Sequence, residues 1–209
     1  MNTAKTAVIS RLNANGDGIT DDRDGAPAIP FSAPGDEYDL SQTPTVRTKD
    51  SAARSDPVCP HFGTCGGCRL QHLDEETYAA YKRQLVVDAL SAAGLEAEVT
   101  DLRSFPVGSR RRTTLTYQPG KVGAAMGYFR RQSHELIDIQ SCAVLDPQLA
   151  QALTLLRALC AKVPGKRPLT MTVLNADNGL DISWQSDRDQ IKPAAAQAIS
   201  QFAARNGIM

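Results

Sequence analysis

At 209 residues the chain has room for one large domain or two small ones, and an apolar share of 42% suffices for a buried core, which excludes a disordered chain. Basic and acidic side chains balance at 23 each, which excludes a uniformly basic nucleic-acid binder but not a local basic face. No run of eighteen apolar residues occurs and no apolar segment follows Met1, so neither a membrane span nor a secretory leader is predicted, and a soluble, cytoplasmic monomer is expected.

In chain order, residues 6–13 predict a short strand, Gly16, Gly18 and Gly25 punctuate turns, residues 28–31 predict a second strand and Pro34-Gly35 another turn. Several short strands within fifty residues suggest a small β-barrel. Residues 41–57, rich in Thr, Ser, Arg and Pro, predict a linker or edge. Residues 74–93 carry helical spacing, with Tyr78, Tyr81, Leu85, Val86, Ala89 and Leu90 on one stripe and Gly94 as the stop. Strands are predicted at 99–102, 113–118, 124–129 and 135–139. A helix opened by Asp146-Pro147 is predicted to run to about Lys162, a hairpin over 169–175 and 180–185 to turn at Asn178-Gly179, and a last helix to span 193–205. The expected fold class is α+β, without a doubly wound parallel sheet.

Charge divides the chain. Between residues 14 and 40 stand seven acids and one base, Arg23; between 102 and 134 stand seven bases and no acid. Arg110, Arg111, Arg112, Arg130 and Arg131 lie on predicted strands with Tyr117, Tyr128 and Phe129 between them. Guanidiniums suit phosphate contacts, and aromatic rings suit unstacked bases, so this stretch is a candidate RNA surface. The alternative is a solvated hairpin whose arginines form salt bridges.

Three of the five cysteines fall within ten residues, in Cys59-Pro-His-Phe-Gly-Thr-Cys65-Gly-Gly-Cys68, which favours metal ligation or redox chemistry over structural disulfides. Gly66 and Gly67 would permit positive φ and leave room beside a bulky inorganic core, with backbone N–H groups turned to its sulfides. Cys142, at the end of the strand over 135–139, is the natural distant ligand. An iron–sulfur cluster on Cys59, Cys65, Cys68 and Cys142 is favoured over a structural zinc site, for which paired C-x₂-C knuckles are usual, and over redox cysteines or a ferredoxin. His61 and His72 are expected to cap carbonyls, and Cys160, in an apolar run, to be a core residue. Two decoys fail their templates: Asn13-x-Asn15-x-Asp17-Gly18 is not a calcium loop, and residues 120–127 are not a phosphate loop.

Residues 59–72, together with Gly16-Asp17-Gly18, Ile29-Pro30 and Gly127-Tyr128-Phe129 leading to Cys142, resemble the iron–sulfur-containing RNA (uracil-5-)-methyltransferases. The resemblance covers nearly the whole chain. It implies a TRAM-like, OB-like barrel over residues 1–50, a 4Fe-4S segment over 51–73 completed by Cys142, and a mixed α/β RNA-recognition domain over 74–209. It further implies formation of 5-methyluridine in rRNA or tRNA with S-adenosylmethionine as methyl donor: a thiolate adds to C6 of an extruded uracil, C5 takes the methyl group, and a base removes the C5 proton. No residue here matches the thiolate, base or methyl-donor motifs. The S-adenosylmethionine-binding domain is therefore expected to be missing and the chain to be inactive alone. The alternative is a non-enzymatic RNA-binding module with a Cys₄ zinc site.

Overall fold

The computed structural model describes residues 6–21, 27–120, 124–163, 168–185, 193–206 and 208. The chain divides into two units: residues 1–58 with 68–104, and residues 59–67 with 105–209.

In the first unit β1 (Thr6–Leu12), β2 (Gly18–Thr20), β3 (Glu37–Asp39) and β4 (Val46–Lys49) form an antiparallel sheet of order β2-β1-β3-β4. Alternation drives β1: Ala7 and Ile9 point inward while Val8 stays exposed. The turn to β2 is an Asx turn, in which Asn13 Oδ1 accepts from the amides of Asn15 (2.8 Å) and Asp17 (3.1 Å). Ile9, Ile29 and Tyr38 make the small core.

Where a barrel is expected, the described residues form an open sheet with β2 and β4 at its edges. The strand expected over 28–31 shrinks to one bridge, Gly18 with Ile29, because Pro30 has no N–H and Phe31 turns to φ 58°. The expected linker over 41–57 is structured instead. It contributes β4, and Arg54 inserts its guanidinium against the fully buried carboxylate of Asp36 at 2.6 Å. Asp36 also accepts from the amides of Ala33 (2.7 Å) and Ser51 (3.0 Å). A bridge between Arg54 and Leu73 then ties this segment to the chain following the cysteines.

Helix α1 (Glu75–Ala92) forms as expected, with Asp74 accepting from the Thr77 amide at 2.7 Å and Gly94 leaving it at φ 69°. Its apolar stripe is not a core face. Tyr78, Tyr81, Leu85 and Leu90 are half-buried and Val86 is exposed. Tyr81 donates to Asn13 O at 2.9 Å, so part of its docking is polar. No strand forms over 99–102, where the Val99 carbonyl accepts from Arg83 Nε rather than from a neighbouring strand.

The second unit is an antiparallel sheet of order β7-β6-β5-β8-β9, built from β5 (Arg112–Gln118), β6 (Ala125–Phe129), β7 (Leu136–Asp138), β8 (Leu169–Ala176) and β9 (Gly179–Gln185). The helix expected from Asp146 is two short helices, α2 (Pro147–Gln151) and α3 (Leu153–Cys160), which meet at Ala152; α4 (Pro193–Arg205) follows β9. Leu115, Met126, Ile139, Met171 and Val173 from the sheet pack with Leu149, Leu156 and Cys160 from the helices. Arg157 of α3 pairs with Asp138 of β7 at 2.8 Å and donates to the carbonyls of Ala124 and Ile139, holding the β6–β7 hairpin to the helix. Burial pushes the Asp138 carboxyl up, but the Met126 amide and Arg157 outweigh it, and it lies below the usual carboxylate range. The β8–β9 hairpin turns at Asn178-Gly179 as its sequence predicts, with Gly179 at φ 140°. The fold is α+β, and among the described residues no helix is long and apolar enough to cross a membrane.

Candidate metal centre

The cysteine loop starts as a tight coil. The Phe62 amide donates to Cys59 O (3.1 Å), and those of Thr64 and Cys65 donate to His61 O (3.2 and 2.8 Å). Gly63, at φ 83°, reverses the chain. The loop then lies against the end of β6. Cys65 forms an antiparallel bridge with Arg130, and the Gly66 amide donates to Phe129 O at 2.9 Å.

Glycine is required at position 66 for a reason different from the one expected. Gly66 is not among the positive-φ residues; a Cβ there would meet Phe129 O at 2.6 Å and Arg131 N at 3.0 Å. Its amide is spent on the strand and not offered to a sulfide. The Gly67 amide does reach sulfur, donating to Cys65 Sγ at 3.4 Å. A Cβ on Gly67 would meet both that sulfur, at 3.5 Å, and the ring of Tyr128, at 3.6 Å.

Tyr128 links this loop to the distant cysteine. Its hydroxyl lies 2.5 Å from Thr113 Oγ1 and hydrogen-bonds Cys142. Burial, chiefly, and then the Cys142 sulfur push the phenol up to about 12, against the opposing Thr113 hydrogen bond. Cys142 follows β7 on the step predicted for it, half-buried, with its carbonyl accepting from the Leu145 amide at 3.3 Å. Cys59, Cys65 and Cys142 thus belong to one unit, and Cys68 opens the returning stretch of the other. Among the described residues no group of three or more His, Cys, Asp or Glu side chains is arranged to hold a metal ion.

The histidine and core expectations are met at two places. His72, almost fully buried, hydrogen-bonds Ser32 O through Nε2 at 2.9 Å, and burial pushes its pKa below the ordinary value. Cys160 is fully buried, its Sγ 3.8 Å from Met171 Sδ, and burial pushes the thiol up to about 12, which leaves it a poor nucleophile.

The arginine-rich stretch separates into residues with different work. Tyr117 is a core residue, and Tyr128 faces Thr113 and Cys142 instead of forming a stacking platform. Arg110 uses its backbone to bridge Leu145, and its side chain is exposed. Arg111 reaches Asp177 at 2.8 Å and the carbonyl of Asn175 at 3.0 Å. Arg130 forks onto Glu135 at 2.7 and 3.2 Å. Salt bridges therefore form as in the alternative reading, but to acids of the same unit. Arg112 and Phe129 are exposed, Phe129 edge-on to His134 with ring centres 6.4 Å apart, and Arg131 is half-buried. Tyr128's link to Cys142 is the functional contact that sequence reasoning missed; the alternation of β6, which turns Met126 and Tyr128 to the same face, could have signalled it.

No family model matches the chain. It is 38% identical over 193 residues to an uncharacterized RNA methyltransferase of Agrobacterium fabrum, covering 87% of this chain and 46% of that protein. It is 35% identical over 202 residues to an uncharacterized RNA methyltransferase of Zymomonas mobilis, covering 95% and 49%. It is 28% identical over 218 residues to the 23S rRNA (uracil(1939)-C(5))-methyltransferase RlmD of Pectobacterium atrosepticum, covering 97% and 48%. The chain spans about half the length of the curated relatives it matches, and those relatives are, by name, RNA methyltransferases.

Proposed function

We propose that this chain is the cluster-bearing, RNA-recognising part of an S-adenosylmethionine-dependent RNA (uracil-C5-)-methyltransferase that forms 5-methyluridine in rRNA or tRNA, working in the cytoplasm as a monomer. The observation that carries the reading is the docking of the Cys59–Gly67 loop on β6, in the same unit as Cys142, within a chain similar over most of its length to RNA methyltransferases. Cys59, Cys65, Cys68 and Cys142 would hold a 4Fe-4S cluster. Their chemistry fits: four soft thiolate donors, with a backbone amide already directed at Cys65 Sγ and a phenol at Cys142. A cubane seats each thiolate on a separate iron, so it tolerates wider spacing than the tetrahedron around one zinc ion, and no single-ion grouping is present among the described residues. When bound, the cluster supplies covalent cross-links that hold the loop. The N-terminal sheet stands for the TRAM-like module, and Arg110, Arg112, Phe129 and Arg131, with Arg111 and Arg130 on displacement of their acids, would contact RNA.

S-adenosylmethionine would be bound by the part of the longer relatives that this chain does not span. No nucleophile for C6 of uracil remains here, since four cysteines are assigned to iron and Cys160 is buried with a raised pKa. The test is anaerobic purification with iron, sulfide and zinc analysis, an absorption spectrum, RNA binding and a methyl-transfer assay. About four irons per chain, a brown protein, RNA binding lost together with iron in Cys142→Ser, and no methyl transfer are expected. Stoichiometric zinc without sulfide would overturn the cluster in favour of a zinc-bearing RNA module. Turnover by this chain alone would overturn the division of labour.

A further inference from the structure

Tyr128 sits where a residue could act on the cluster without ligating it. Its ring edges the Gly67 backbone on the side where Cys65 Sγ also lies, 3.6 Å and 3.5 Å from the same ideal Cβ position. Its hydroxyl reaches two groups, Thr113 Oγ1 at 2.5 Å and the Cys142 sulfur. Thr113 is itself buried on β5, and both Tyr128 and Cys142 pack against the core of the unit, so neither side chain is on a mobile surface. An aromatic residue there only to fill space would not need the hydroxyl, and one there only to satisfy Thr113 would not need to reach the sulfur.

Resting on the cluster reading above, we propose that Tyr128 is a positioning residue for the iron–sulfur centre: its hydroxyl donates a hydrogen bond to Cys142, with Thr113 behind it, and so raises the reduction potential of the cluster. The direction of the relay follows from proton counting. A thiolate bonded to iron carries no proton, so the phenol must be the donor to sulfur. The phenol oxygen is then the acceptor, and the Thr113 hydroxyl donates to it. A donor whose own oxygen accepts a hydrogen bond is polarised into a stronger donor, which places Thr113 in series with the sulfur contact. Hydrogen bonds to ligand sulfur favour the electron-richer, reduced cluster, because the added negative charge strengthens them. Both glycine and tyrosine contacts thereby have a use: the Gly67 amide serves the Cys65 sulfur and Tyr128 the Cys142 sulfur.

The test is a mediated redox titration of the reconstituted chain, read by absorbance, with iron analysis of every sample. Tyr128→Phe is expected to keep the iron content and to move the midpoint negative. Poised at the wild-type midpoint, its oxidised-to-reduced ratio should rise about tenfold, equivalent to about 59 mV for a one-electron couple. Thr113→Val, which keeps the phenol but removes the group behind it, should move the midpoint in the same direction by less, and it decides the matter should Tyr128→Phe fail to fold. Unchanged midpoints in iron-replete variants overturn the role of Tyr128 and leave the cluster standing. A wild-type chain that takes up no iron overturns the cluster reading beneath it, and the proposal with it.

Discussion

Replacing Arg54 with Ala tests whether the chain between β4 and the cysteines is a structural lock. Asp36 is fully buried and its Oδ2 accepts from Arg54 Nη1 at 2.6 Å, while Arg54 keeps 16% of its side chain in contact with solvent. Removing one partner of a buried pair costs about 3–5 kcal/mol, because the remaining charge has neither water nor counter-ion. Two amides, from Ala33 and Ser51, would still serve the Asp36 carboxylate, which puts the expected loss near ~3 kcal/mol. With a urea slope of about 2 kcal/mol per molar, the unfolding midpoint of the first unit should fall by about 1.5 M. Asp36→Asn should cost less, since Arg54 retains the carbonyl of Phe31 at 3.3 Å and can extend toward water. Equilibrium urea unfolding of both single variants and the double variant measures this asymmetry. A loss below about 1 kcal/mol for Arg54→Ala, the range of exposed ion pairs, would refute the lock.

His72 should make stability fall in mild acid. Burial holds its folded pKa below the ordinary 6.5, so the unfolded chain takes up a proton first; stability is complete above that value and is lost as pH falls through it toward the folded pKa. A urea midpoint that drops between pH 7 and 5 in the wild type and stays flatter in His72→Gln is the expected result, and parallel curves would contradict it. Gly66→Ala should detach the cysteine loop from β6, costing about 1–3 kcal/mol as an overpacking substitution, since its Cβ would meet Phe129 O at 2.6 Å. Hydrogen exchange should show lost protection at Gly66 together with lower iron uptake; a protected amide would contradict this. For RNA binding, Arg112→Ala should reduce the log–log salt dependence by ~0.7, the value for one phosphate contact on a single strand. Arg130→Ala should reduce it by less, because Glu135 already neutralises that guanidinium. Equal slopes would contradict the assignment.

What the sequence disclosed was chiefly local chemistry. The Asp74 and Asp146 caps, the Asn178-Gly179 turn, the strand that became β5 and the step carrying Cys142 are each decided by a few adjacent residues. The failures lie where partners decide. Strands β3 and β4 have three and four residues and exist because β1 and each other supply their hydrogen bonds, which no period in so short a run can announce. Asp36 stands in an acidic stretch that suggests a solvated surface, yet it is the most deeply enclosed charge of the first unit, because Arg54, eighteen positions on, folds back to it. The stripe on α1 followed helical spacing correctly but not its degree of burial, which depends on what packs beside it. At the candidate centre the cysteine spacing was legible. The position of Tyr128 was not, because its aromatic character suggested a ring for RNA and its hydroxyl found Thr113 and Cys142 instead.

The order in which the units share the chain has a consequence for anyone wishing to study them apart. The polypeptide leaves the first unit at residue 58, contributes nine residues to the second, returns at 68 and departs again after 104. A fragment of residues 1–104 would carry the Cys59–Gly67 loop without the β6 edge that receives it, and a fragment of 105–209 would keep Cys142 without two of the thiols assigned beside it. Separation by cleavage at one bond is thus ruled out by connectivity. A faithful excision of the second unit would need the nonapeptide grafted back through a fresh linker.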